Sequence, residues 1–84
     1  MNKRWILSHL REAQEELART IAKLNAAESV DELEVEFEIA TAHIYNHLNT
    51  AWNARIATDE QIAAQTEDEF YRWRAFPADI EMGR

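Results

Sequence analysis

The chain has 84 residues, 16 of them acidic and 9 basic, for a formal charge of −7, and it contains no cysteine. That balance argues against a direct nucleic-acid partner, which needs clustered Lys and Arg, and the missing thiols exclude disulfide scaffolds and thiolate metal sites. A single domain of this size buries only roughly 60 to 65% of the surface of its unfolded chain, so its core is thin and invites a partner or a second copy.

One glycine and one proline leave little turn chemistry, while Ala, Leu, Glu, Arg and Gln favour helix. The composition predicts an all-α fold, an antiparallel hairpin of two long helices with two short C-terminal helices packed on one edge. No stretch approaches the ~18 apolar residues of a membrane span. The start MNKRWILSHL holds an apolar run too short for a signal-peptide core. A soluble, cytoplasmic protein without a membrane partner is expected.

The first helix is predicted over residues 3–26, where Ile6, Leu10, Ala13, Leu17, Ile21 and Leu24 recur three and four apart as one apolar stripe. Asn25 can take the left-handed conformation that closes a helix. The tetrapeptide SVDE then reads as a capping box, with Ser29 and Glu32 satisfying each other's amides. A second helix is expected over 30–57, with Leu33, Phe37, Ala40, Ile44, Leu48 and Ala51 as its stripe. A short link leaves no room for a crossover, so the two are antiparallel neighbours.

Two further capping boxes, TDEQ at Thr58 and TEDE at Thr66, announce helices over 59–64 and 67–74. Phe70, Trp73 and Phe76, spaced by threes, give the last helix an apolar edge, expected to lie over the Tyr45, Trp52 and Ile56 flank of the second helix. Pro77 ends the single domain at 1–77, and 78–84 is expected as a loose tail. Residues 28–38 carry a net −6, which suits the positive end of a helix dipole or, more pointedly, docking of a basic partner.

His43 and His47 stand one turn apart on a helix, a spacing that suits one zinc or similar divalent ion. Antiparallel pairing puts His9 level with His47, so a His9/His43/His47 metal site is one expectation. Half-buried histidines hydrogen-bonded to a neighbouring helix are the plainer one. The chain has no Glu-x-x-His pair, no nucleophile with a nearby His and carboxylate, and no glycine-rich phosphate loop. Catalysis is therefore not expected.

Asn46, Asn49 and Asn53 form an amide stripe opposite the apolar line of the second helix, and Val35, Ile39 and Ala42 continue that back face. This six-residue surface reads as the contact of a homodimer or of another protein partner. The expected function is thus a small acidic noncatalytic module for protein–protein interaction or self-association; the alternative is a metal-binding protein. On this reading Ile39→Glu should break the dimer and leave the hairpin folded.

Overall fold

The computed structural model describes residues 1–83 and is 73% helical, with no strands among them. In chain order come α1 (Lys3–Ala26), a 3-10 turn (Val30–Leu33), α2 (Glu34–Asn53), α3 (Asp59–Ala63) and α4 (Glu67–Arg74). Asn2 starts α1: its Oδ1 accepts from the Trp5 amide at 3.1 Å, satisfying one of the free donors of the first turn. The same residue ties that end down, donating from its backbone to Arg55 O at 2.6 Å and from its side chain to Ala57 O at 2.9 Å and Asp59 Oδ1 at 3.0 Å. Lys23, near the other end of α1, lies 3.8 Å from Glu36 at the start of α2. The two long helices therefore run in opposite directions.

The link between them differs from expectation. No described residue other than glycine has a positive φ, so Asn25 is not left-handed; α1 ends instead on extended Ala27, whose amide donates to Lys23 O at 3.1 Å. The Ser29 side chain makes no capping bond, and residues 30–33 wind as 3-10 rather than α. Glu28, Glu32 and Glu36, and Glu34 and Glu38, would stack like charges four apart on an α-helix, which disfavours its first turns. At the far end α2 stops at Asn53, short of the expected 57. There the Arg55 guanidinium takes the Trp52 carbonyl at 2.8 Å, and the chain turns to meet Asn2. Both threonine capping boxes form, and α3 ends one residue early, at Ala63.

The buried apolar residues are the alanines Ala13, Ala40, Ala51, Ala54 and Ala57 together with Pro77, and no large side chain among the described residues is fully buried. Small residues let two helix axes approach closely, so the contact between α1 and α2 runs along the alanines. The leucines of the expected stripes are turned to its flank.

The C-terminal segment sits on the other side from the one expected. Asn49 donates to Arg74 O at 2.8 Å, and Asn53 donates to Trp73 O at 2.8 Å and Ala75 O at 2.7 Å. These amides satisfy the unpaired carbonyls at the end of α4, which fixes α4 on the asparagine side of α2. Only the tail reaches Trp52, whose Nε1 donates to Asp79 Oδ1 at 2.8 Å. Arg55 lies 3.6 Å from Asp79 and stacks 3.9 Å above the Trp52 ring. The expected loose tail is thus anchored at Asp79, while Arg84 lies outside the described residues. No described helix is long and apolar enough to cross a membrane.

Candidate functional site

Taken at 100° per residue from the alanine contact line, each long helix presents one flank to each side of the hairpin. On the first side α1 contributes Trp5, His9, Glu12, Glu16, Arg19 and Lys23, and α2 contributes Glu36, His43, His47 and Thr50. Here His9 Nδ1 lies 2.9 Å from His47 Nδ1, His47 Nε2 lies 3.2 Å from Glu12, and His43 Nδ1 lies 3.7 Å from Glu16. Trp5 meets His9 edge to face, with ring centroids 4.3 Å apart.

Two Nδ1 atoms can bond only when one carries a hydrogen and the other a lone pair. The Glu12 carboxylate favours a hydrogen on His47 Nε2, which leaves Nδ1 of neutral His47 as the acceptor and makes His9 Nδ1–H the donor. His9 Nε2 is then a bare acceptor; it and the Trp5 indole Nε1 are buried with no hydrogen-bond partner among the described residues. Burial, reinforced by the adjoining His47 and opposed by Glu12, pushes His9 below its ordinary pKa. The hydrogen bond from Arg19 is the main cause holding the Glu16 carboxyl below its usual range. A cavity of about 190 Å³ adjoins the pair, lined also by His43, Asn46, Thr50, Phe70 and Trp73. Nearer the link, a second cavity of about 170 Å³ has Leu24, Leu33, Phe37 and Ile39 in its walls and Glu16, Arg19, Lys23, Glu36 and His43 around it.

The three histidines border one cavity on one edge of the hairpin, but not as a set of converging ligands. His9 and His47 meet ring to ring, while His43 stands one turn away beside Glu16, and among the described residues no group of three His, Asp or Glu side chains is placed to hold a metal ion. The reason is geometric: each of His9 and His47 spends its Nδ1 on the other, so the two do not converge on a common point.

The amide surface is likewise divided. Val35, Ile39 and Ala42 are exposed, but Asn46 borders the cavity under α4. Asn49 is 7% exposed, and it and Asn53 are held by α4 carbonyls. The six residues are not one free surface.

What residue spacing alone missed is the second side of the hairpin. There α1 presents Leu7, Leu10, Gln14, Leu17, Ala18 and Ile21, and α2 presents Phe37, Thr41, Ile44, Tyr45 and Leu48, with Lys3 at one end of the face and Glu34 at the other. Leu10, Leu17, Ile21, Phe37 and Leu48 are between 42% and 57% exposed. The signal was in the sequence: an apolar stripe that runs beside the small contact residues Ala13, Ala40 and Ala51 is wider than one helix contact can cover. No protein-family model matches this chain, and no curated protein and no solved structure matches it either.

Proposed function

We propose that the chain is a noncatalytic self-association module in which the open apolar side of one hairpin packs against that of a second copy. The observation that carries this reading is the exposure of Leu10, Leu17, Ile21, Phe37 and Leu48 beside a core of alanines. The face runs roughly 20 Å along the helices and roughly 20 Å across them, about 400 Å² in projection, comparable with the largest apolar patch of a monomeric protein, which is often functional. Two hairpins closing on one another make a four-helix bundle, the usual way such faces are buried.

A copy of the same chain suits the face because its apolar residues are arranged about a common level. Leu10 and Ile21 bracket the middle of α1 near Glu16, Phe37 and Leu48 bracket the middle of α2 near His43, and Glu16 and His43 touch. A twofold contact requires such self-matching patches. This surface replaces the amide stripe as the interface, since α4 occupies Asn49 and Asn53.

Sedimentation equilibrium tests the reading. The 9.8 kDa chain should run at twice its mass, and Leu17→Glu should run as a monomer that keeps its helical circular dichroism. Ile21→Lys, at a still more exposed position, repeats the test with the opposite charge. A wild-type chain that stays monomeric near about 1 mM, where even weak association of about 4 kcal/mol would show, sinks the idea.

A further inference from the structure

Two hairpins can close face to face about a twofold axis in two ways. With the axis along the helices, both 27–33 links lie at the same end and α1 covers the partner's α2. With the axis across them, the links lie at opposite ends, and each helix covers its own counterpart in the antiparallel sense. Apolar packing does not choose between them, because the face is centred at one level on both helices.

Charge does choose. Residues 28–38 put a net −6 at the link end of each hairpin, and among the described residues the ion pair made by these carboxylates is that of Glu36 with Lys23 at 3.8 Å. Packed helix axes are about 8 to 10 Å apart, comparable with the Debye length of about 8 Å at physiological ionic strength. Links at the same end would hold two such clusters about one Debye length apart, where salt screens their repulsion only in part. At the other end of the hairpin Lys3, Arg4 and Arg55 are offset by Asp59, bonded to Asn2, by Glu60 and by Asp79, 3.6 Å from Arg55, so that end carries no comparable net charge, and Lys3 sits on the flank that borders the open face. An opposite-end arrangement separates the two acidic links and sets each beside the near-neutral, Lys3-bearing end of the partner. It also places Leu10 level with the partner's Ile21, and Phe37 level with the partner's Leu48.

We infer that the second copy docks with its 27–33 link at the opposite end of the bundle, an arrangement that rests on the self-association reading above. The chain has no cysteine, and the exposed Ser29 makes no capping bond, so Ser29→Cys gives one spin-label site per chain without disturbing the fold. Pulsed electron resonance on the labelled dimer should return a distance comparable with the 46 Å long dimension of the hairpin. A distance under roughly 20 Å, about two interhelical spacings, in a sample of dimer mass overturns the opposite-end arrangement and leaves self-association standing. A sample of monomer mass with no intermolecular distance overturns the self-association reading, and this inference with it.

Discussion

On the side of the hairpin that α4 covers, α1 and α2 carry His9, His43, His47, Glu12 and Glu16; on the opposite side the same two helices present Leu10, Leu17, Ile21 and Leu48, with charge confined to the ends of the face at Lys3 and Glu34. The first side is held by directional contacts. The His9–His47 bond, the carboxylates at His47 and His43, and the asparagine amides on α4 each demand one geometry of their neighbour. The second side demands only that something apolar cover it, because burial of hydrocarbon is non-directional. Intramolecular packing has been completed where the residues specify it and left open where they do not.

Loading the open side with charge should have the largest effect. A carboxylate in place of Leu17 would be buried without a partner in the dimer, costing about 3 kcal/mol or more, roughly 100-fold in Kd, while the monomer tolerates it at a half-exposed position. The matching test of the covered side is Asn53→Ala, which removes two bonds to α4 carbonyls. It should loosen α4 by about 1 to 2 kcal/mol, read as amide exchange roughly 10-fold faster in α4. Amides in α1 and the mass of the dimer should not change. If Asn53→Ala dissociates the dimer instead, the interface lies on the covered side.

The same contrast explains what could be read in advance. Helix existence was legible because propensity and stripe agree over α1 and threonine capping boxes mark α3 and α4. The level of His9 with His47 followed from a short link and antiparallel pairing alone. Which residues lie on the contact line did not follow, because Ala13 and Leu17 both belong to the stripe and only packing decides that the axes close on alanine. The position of α4 did not follow either. Asn49 and Asn53 looked like an outward amide line, and their role as acceptor-seeking caps exists only once the carbonyls of Trp73, Arg74 and Ala75 arrive from 20 to 25 residues away.

The histidine seam should give the covered side a pH dependence that the open side lacks. The folded-state pKa of His9 lies below its ordinary 6.5, chiefly through burial, so the unfolded chain takes up that proton more readily than the folded one. The associated stability is complete above pH 6.5 and is lost as pH falls below it towards the folded value. Urea unfolding at fixed protein concentration should therefore show a lower midpoint at about pH 5.5 than at about pH 7.5, on either side of the histidine range. His9→Gln should shrink that difference. An unchanged difference in His9→Gln would assign the acid sensitivity to other groups.

The smallest effect is expected at Ile39, whose Glu variant separates the two sides most cleanly. Ile39 is 52% exposed on the charged side, in the wall of the cavity that Arg19, Lys23 and Glu36 surround. A carboxylate there stays in water and gains two nearby cations against two nearby carboxylates, those of Glu16 and Glu36. Its net electrostatic effect is therefore within about 0.5 kcal/mol, typical of surface substitutions. Sedimentation should find the Ile39→Glu chain as dimeric as wild type, with a melting temperature lower by no more than a few degrees, the shift expected for under about 1 kcal/mol in a chain of this length. The paired result is what discriminates. Dissociation by Leu17→Glu but not by Ile39→Glu places the contact on the open side, and the reverse pattern would return it to the face that Val35, Ile39 and Ala42 share.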